Sequence, residues 1–160
     1  MKYISSLDRE HRLWVWLHHT LHVLYRAREK ELAQFDIPLM QAGVLFIIEA
    51  MPEPKTTAKI SRWLLRERHS VHTLLNRMEQ QGLLSKTRDS NNKRLVTVAL
   101  TERGRQLYHQ LSNPPIEEDV LSRVFSTLST QEQQQLESYL RRLLHRTLDE
   151  LQMSKALRYL

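Results

Sequence analysis

Apolar residues recur at helical spacing in the first part of the chain, where residues 8–34 contain neither Pro nor Gly. Leu13, Leu17 and Leu24 fall on one face at i, i+4 and i+11, which predicts one long helix. Further apolar residues lie away from that face: Trp14, Trp16, Leu21 and Val23. A helix that is apolar on several sides is buried in a core or against a partner.

Three shorter helices are predicted next, over residues 39–51, 57–66 and 70–81. Pro38 stands near the first turn of the first of them, a position that favours helix initiation. The third has an apolar side made of Val71, Leu74, Leu75 and Met78. Gly82 follows its last turn and is predicted to be its C-terminal cap.

After Gly82 the period changes from helical to alternating. Residues 83–88 and 95–100 are predicted strands, and the polar segment 89–94 joins them into a hairpin with a basic tip. A helix that starts at Thr101 is then interrupted at Asn113 by the two prolines that follow it.

Two further helices are predicted before the end of the chain, the first over residues 116–128. Ser129 and Glu132 have the spacing of a capping box and open the second. That helix carries a leucine stripe at Leu136, Leu140, Leu143, Leu144, Leu148 and Leu151. The stripe predicts that the last helix lies on another hydrophobic surface.

Composition excludes several classes of protein. A chain of 160 residues with 41% hydrophobic and 26% charged residues fits one folded domain rather than a disordered or fibrous chain. No run of 18 apolar residues and no cleavage signal is visible, so we expect a cytoplasmic protein without a membrane span. Zero cysteines exclude thiol chemistry and disulfides, and three glycines leave little material for a phosphate-binding loop.

Positive charge is concentrated in the middle of the chain. Residues 53–105 hold 12 basic and 5 acidic residues, a net charge of +7, whereas the remainder has a net charge of −1. This distribution is expected of a nucleic-acid binder. A solvated basic face without a polyanionic partner is the alternative.

The order helix, turn, helix, strand, basic loop, strand is the plan of a winged helix-turn-helix, so the predicted fold class is mostly α with a small β-hairpin wing. In such a plan the second helix enters the major groove and the cationic loop reaches the backbone or minor groove. The positions of helix 70–81 that are free for contact are all hydrogen-bonding: Ser70, His72, Thr73, Asn76, Arg77 and Gln80. An ordinary polar helix face is the alternative.

Two segments carry a more specific resemblance. The run from Leu74 to Leu84, LLNRMEQQGLL, and the run from Val98 to Gly104, VALTERG, flank a polar loop that ends in Asn-Lys-Arg. In this order and spacing the chain resembles the MarR family of transcription regulators over nearly its whole length.

The resemblance implies a domain organisation and a set of DNA contacts. Residues 1–36 and 101–160 match dimerisation helices, and residues 37–100 match the DNA-binding lobe, with the recognition helix at about 70–81 and the wing at about 83–100. The implied DNA contacts are Ser70, His72, Thr73, Asn76, Arg77, Arg88, Lys93 and Arg94.

The chain departs from the family pattern at two places. The wing usually carries Asp-x-Arg, and Asn92 here replaces the Asp while Arg94 is kept. The turn at residues 66–68 lacks the glycine often found in helix-turn-helix units. We therefore expect that turn to use ordinary backbone conformations, or the preceding helix to end a little later.

The family also implies a function. It predicts a homodimeric regulator, most often a repressor, that binds a pseudo-palindromic operator and releases it when a small, often aromatic effector binds. Effector-pocket candidates on the first two helices are Trp16, His19, Val23, Met40 and Phe46, each of which is alternatively a core residue.

Histidines on the first helix raise a metal-responsive regulator as the alternative function. His18 and His22 have the i, i+4 spacing that grips one metal ion, and His11 shares their face. A site needs a third ligand, and neither His109 nor Glu49 can be placed from the sequence. No metal and no cofactor are therefore predicted.

Two other classes of protein are alternatives to a DNA-binding regulator. An enzyme is not expected, because no G-x-S-x-G, H-E-x-x-H or paired-carboxylate pattern is present. A winged helix that binds only protein is separated from a DNA binder by a salt-dependent gel shift.

Overall fold

The computed structural model describes residues 7–88, 95–113 and 119–153. In these residues the chain is mostly helical with one two-stranded antiparallel sheet, which confirms the predicted fold class. The elements in chain order are α1 (Arg9–Leu32), α2 (Leu39–Ala50), α3 (Thr57–Trp63), α4 (Arg68–Gln80), β1 (Leu84–Arg88), β2 (Val96–Leu100), α5 (Glu102–Ser112), α6 (Val120–Phe125) and α7 (Thr130–Glu150). A 3₁₀ helix, Ala33–Phe35, links α1 to α2.

Polar residues before the later helices satisfy their first backbone N–H groups. The Thr101 side chain accepts a hydrogen bond from Gly104 N at 3.1 Å and so caps α5. At α7 the Ser129 hydroxyl accepts from Glu132 N, and the Glu132 carboxylate accepts from Ser129 N at 2.8 Å. The predicted capping box is thus confirmed.

Three helices, α3, α4 and α7, end in the same kind of turn. After α4, Gly82 has a φ of 69°, and its N–H and that of Leu83 donate to the carbonyls of Glu79 and Met78, both at 2.9 Å. This is a Schellman motif, and it confirms the predicted cap at Gly82. The same pattern follows α7, where Gln152 has a φ of 55°.

The turn between α3 and α4 differs from the sequence-based expectation. The helix ends at Trp63, earlier than predicted, and Leu65 takes the left-handed conformation with a φ of 51°. The N–H groups of Leu65 and Arg66 donate to Arg62 O and Ser61 O, both at 3.1 Å. The expectation of ordinary conformations is wrong because a Schellman motif here uses leucine where glycine is usual.

The main core lies among α2, α3, α4 and the hairpin. Its fully buried members include Leu45, Ile48, Ile60, Leu75 and Met78. Leu84 pairs with Leu100 at the base of the hairpin and Arg88 pairs with Val96 at its far end. Because Leu84, Val98 and Leu100 are buried, the sheet is fixed against the helices on one face.

A third segment, which the sequence pattern did not predict, joins the hairpin. Thr56 forms an isolated antiparallel bridge with Thr97, and Val98 N donates to Lys55 O at 2.8 Å. One bridge is too short for a period-two pattern, so no sequence signal marked it.

The start of α5 is fastened to the turn between α4 and β1. Thr101 N donates to Leu83 O at 3.1 Å, and its hydroxyl donates to Gly82 O at 2.6 Å. Arg103 donates to Gln81 O at 2.9 Å. A Cβ at Gly104 would overlap the Leu83 carbonyl oxygen, so this approach requires glycine. Because α5 also packs against α2 and β2, it lies on the lobe of its own chain.

The outer helices leave much of their apolar surface uncovered. Leu32 is the only buried residue of α1, and Leu148 is the only buried residue of α7. The exposed apolar side chains of these helices include Leu13, Trp14, Trp16, Val23, Leu140 and Leu143. The predicted domain boundaries at residues 36 and 100 stay predictions.

Among the described residues, no single helix is long and apolar enough to cross a membrane. The pair Arg9–Phe35 and Leu39–Ala50 reaches that length and apolarity only when both are taken together across an 83° bend.

Candidate nucleic-acid interface

Helix α4 has one buried and one exposed side. Val71, Leu75 and Met78 fix it to the core. The exposed positions carry hydrogen-bonding or cationic side chains: Ser70, His72, Thr73, Arg77 and Gln80. Asn76, which was predicted to be free for contact, is half-buried. The structure thus places most of the predicted contact residues of α4 on one accessible surface.

Hydrogen bonds within the protein determine which donor and acceptor groups of these side chains remain accessible. The Thr73 hydroxyl donates to His69 O at 3.1 Å, which leaves its oxygen lone pairs and its methyl group accessible. Asn76 Oδ1 accepts from the Lys86 ammonium, and Asn76 Nδ2 lies 3.2 Å from His72 Nδ1. Asn76 is therefore committed to neighbouring side chains.

Three arginines around the turn before α4 were not predicted as part of the site: one lies in α3, one in the turn and one at the start of α4. Arg62, Arg66 and Arg68 are exposed and line a cavity of 240 Å³ that opens at this turn. None of them makes an ion pair with another residue that the structure describes. Their signal in the sequence was only the excess of basic residues, which does not say which cations share a surface.

On the hairpin, Arg88 ends β1 and is exposed. Lys86, two residues earlier, has a side chain only 14% exposed, and its ammonium lies 2.8 Å from Glu79 Oε2. Lys86 therefore ties β1 to α4, whereas Arg88 is exposed and forms no ion pair with a residue in the described part of the chain. Lys93 and Arg94, the predicted contacts at the wing tip, lie outside the described residues.

An apolar cavity of 360 Å³ lies among α1, α2 and α6. It is lined by Leu21, Leu24, Tyr25, Arg28, Leu39, Ala42, Gly43, Phe46 and Leu121. Of the five predicted pocket residues, only Phe46 lines it. Met40 is half-buried elsewhere on α2, and His19, Trp16 and Val23 are exposed, the last two at 48% and 63%. The predicted residues lie on two of the helices that form this cavity, but those on α1 lie on a face that does not meet α2.

Arg28, the one cation of this cavity, is already paired. Its Nη1 lies 2.5 Å from Glu31 Oε1 and 3.7 Å from Asp119 Oδ1. The hydrogen bond from the Ser122 hydroxyl to Asp119, at 2.5 Å, is the main cause that lowers the pKa of Asp119, and the charge of Arg28 lowers it further. This cluster joins α1 to the start of α6.

The histidines of α1 form a row on an exposed surface. The rings of His18 and His22 stack with centroids 6.4 Å apart. Across residues 7–88, 95–113 and 119–153, no group of three or more His, Asp or Glu side chains is placed to hold a metal ion. The third ligand that a zinc site requires is thus not supplied by this part of the chain.

Comparison with known proteins identifies the fold and finds a similarity to the MarR family. A sequence model of the MarR family matches residues 35–95, which span α2 to the start of β2. A search of curated proteins found no significant match. Many solved structures match with high significance.

Three solved structures illustrate the similarity. The ligand-free organohalide-sensing regulator RdhR is 28% identical, with a TM-score of 0.77 over 90% of this chain and 84% of that one. The S. aureus MepR–DNA complex is 25% identical, with a TM-score of 0.73 over 83% and 97%. AbsC, a MarR family regulator from Streptomyces coelicolor, is 16% identical with a TM-score of 0.78 over 88% and 95%, which shows the shared fold.

The description of the relative RdhR concerns the class of activity. RdhR is 28% identical to this chain and is described as a transcriptional regulator, which agrees with the expectation that the chain is not an enzyme. The family model covers the helix-turn-helix and β1 and ends before β2, whereas the structural matches extend over most of the chain. The chain has the winged helix-turn-helix fold, and it resembles MarR-family transcriptional regulators in sequence over residues 35–95 and in structure over most of its length.

Proposed function

We propose that the protein is a homodimeric repressor that reads duplex DNA with α4 and releases it when a small apolar molecule fills the α1–α2–α6 cavity. The observation that carries the proposal is the exposed polar and cationic surface formed by α4, the turn before it and Arg88. The relative MepR, solved as a DNA complex, supports the same use of the fold.

The N-terminal half of α4 is best suited to enter the major groove. Ser70, His72 and Thr73 lie there and offer donors, acceptors and a methyl group to base edges. The arginines of the preceding turn flank this end of the helix and match the backbone phosphates on either side. Base contacts then supply specificity and the arginines supply affinity.

The hairpin is proposed to follow the DNA backbone beside α4. Arg88 is accessible at the end of β1, and Lys93 and Arg94 follow it in the sequence. Cations at a wing tip meet phosphates or the narrow minor groove, so they strengthen binding to all sequences alike.

A second copy of the chain is proposed to cover α1 and α7. Helix α7 has 21 residues and buries only Leu148 within its own chain. Leu140 and Leu143 are 43% and 57% exposed. An amphipathic helix of this length is not stable when its apolar stripe faces water, and a homodimer covers it by symmetry.

The cavity among α1, α2 and α6 is proposed to bind the effector. It is nearly all apolar, and its aromatic residues are Tyr25 and Phe46. Because Arg28 already contacts two carboxylates, a carboxylate ligand gains little from it, and a neutral or phenolic ring fits better. The relative RdhR, which has also been solved with bound 2,4-dichlorophenol, supports this chemistry.

Footprinting on the DNA upstream of the protein's own coding region tests the proposal. We expect paired protected segments about 10 base pairs apart, or a multiple of that, in titrations at fixed salt. Arg77→Ala is expected to weaken binding and to lower the slope of log affinity against log salt by about 1. Arg146→Ala, the same change of charge on α7, is the control. Equal effects of both variants contradict a specific α4 interface.

The effector is tested with 2,4-dichlorophenol as the probe. We expect it to release DNA from the wild type, and 2,4-dichlorobenzoate to act more weakly because it adds a third carboxylate around Arg28. A Cβ at Gly43 meets no atom within 4 Å, so Gly43→Leu is expected to fill the cavity without disturbing the core. If that variant folds, binds DNA and still responds to the phenol, the effector site lies elsewhere.

A further inference from the structure

A chain of hydrogen bonds runs from β1 to the exposed surface of α4. Glu79 on α4 accepts from Lys86 N at 3.1 Å and lies 2.8 Å from the Lys86 ammonium. The same ammonium donates to Asn76 Oδ1, and Asn76 Nδ2 lies 3.2 Å from His72 Nδ1. This series of hydrogen bonds starts at the ion pair of Glu79 with the largely buried Lys86 and ends at the exposed His72.

Chemistry fixes the direction of each bond in this chain. An ammonium only donates, so the side of Asn76 that faces Lys86 must be its oxygen. The amide nitrogen then faces His72, and an amide nitrogen also only donates. His72 Nδ1 must therefore be the acceptor, which places the proton of the neutral ring on Nε2.

We propose that His72 is a fixed hydrogen-bond donor that reads guanine through Nε2–H, and that Asn76 and Lys86 are positioning residues that set its tautomer. The proposal rests on the proposed function, in which α4 enters the major groove. Guanine presents two acceptors there, N7 and O6, and no donor, so it is the base edge that fits a fixed donor best. Adenine and thymine each present one acceptor, beside an amino donor or a methyl group, and cytosine presents an amino donor that a second donor cannot satisfy. His72 thus distinguishes G·C from C·G at one position of each half-site.

This assignment changes the role of two residues. Asn76 was predicted to contact DNA, but both ends of its amide are engaged within the protein. Lys86 contributes to the basic charge of the hairpin, yet its ammonium is held by Glu79 and Asn76. Both residues act on the DNA through His72, and Arg68 and Arg77 remain the cations of α4 that are proposed to meet the backbone directly.

The first test measures the tautomer in the full-length protein without DNA. Two-bond ¹H–¹⁵N correlation spectra of the imidazole at pH 8 report which nitrogen carries the proton, and we expect Nε2–H for His72. In Asn76→Asp a carboxylate faces Nδ1 and only accepts, so we expect the proton to move to Nδ1. Gln34→Glu makes the same change of charge in the 3₁₀ helix Ala33–Phe35, outside the proposed DNA-binding surface, and it is expected to leave the tautomer unchanged.

The second test selects duplexes from a randomised DNA library with the same three proteins. We expect the wild type and Gln34→Glu to enrich guanine at one position of each half-site. Asn76→Asp leaves Nε2 as an acceptor, so we expect it to prefer a base with an amino donor there and to bind the wild-type duplex about tenfold more weakly. Dispersed spectra from the first test confirm that the variants are folded.

The outcomes separate this inference from the function it rests on. A wild-type His72 with the proton on Nδ1, or an equal mixture of tautomers, overturns the inference even if a duplex is enriched. An unchanged base preference in Asn76→Asp also overturns it. If the wild type enriches no sequence although the tautomer is as expected, the proposed function is wrong and the reading of guanine falls with it.

Discussion

Replacement of Gly104 tests the packing of α5 directly. A Cβ at this position would overlap the Leu83 carbonyl oxygen, lie 3.0 Å from the Leu83 carbonyl carbon and lie 3.5 Å from Leu100 Cβ. The two closest atoms belong to the backbone of the turn between α4 and β1, and they cannot rotate away. Gly104→Ala therefore forces α5 and this turn apart.

The magnitude follows from what the displacement disturbs. Overpacking of a close contact costs about 1–3 kcal/mol. Separation also weakens the hydrogen bonds from Thr101 and Arg103 to the turn, each of which contributes about 1 kcal/mol. The higher helix propensity of alanine offsets about 1 kcal/mol. We expect Gly104→Ala to lower the free energy of unfolding by about 2–4 kcal/mol, a large part of the total for a small domain.

Urea unfolding followed by helical circular dichroism measures this loss. All variants are compared at one protein concentration, because the stability of any protein that assembles depends on its concentration. Gly43→Ala is the matched control, since its Cβ meets no atom within 4 Å and it is expected to raise stability by about 0.5–1 kcal/mol. A Gly104→Ala protein as stable as the wild type would refute the reasoning.

The remaining predictions concern assembly, DNA affinity and pH. Replacing both Leu140 and Leu144 by Arg is expected to give monomers or insoluble protein in light scattering, and a folded dimer contradicts the role of α7. Arg88→Ala is expected to weaken binding to all duplexes alike and to lower the salt slope by about 1, whereas an unchanged slope removes β1 from the interface. Because the pKa of Asp119 is lowered by folding, its stabilising contribution is complete above the ordinary value of about 3.9 and is lost as pH falls through the folded-state pKa. Asp119→Asn is expected to flatten this part of the acid-unfolding curve, and an identical curve contradicts the assignment.

Local patterns predicted most of the fold. The apolar spacing located the helices, the change of period after Gly82 located the hairpin, and the capping box at Ser129 appeared where its sequence required it. These features depend on residues that are close in the sequence, which is why they could be read from it. The order of the elements then sufficed for the winged helix-turn-helix.

Features that depend on how helices meet were not predicted. The pairing of Glu79 with Lys86 links two elements, and no periodicity shows it. The face of α1 that lines the cavity is set by its crossing with α2, so Trp16 and Val23 were chosen although Leu24 and Tyr25 line it. When a helix is apolar on several sides, its sequence does not show which side faces the neighbouring helix.

Leu65 determines what the helix-turn-helix does in isolation. A leucine in the left-handed region costs of the order of 1–2 kcal/mol, so the short segment from α3 to α4 has no local preference for its own turn. The burial of Ile60 and Leu75 in a core shared with α2 and the hairpin must supply that energy. The turn therefore depends on this core, and an excised α3–α4 peptide is expected to lose the angle at which α4 is presented. The orientation of α4 consequently depends on the whole lobe, and the segment from α3 to α4 cannot be transplanted alone.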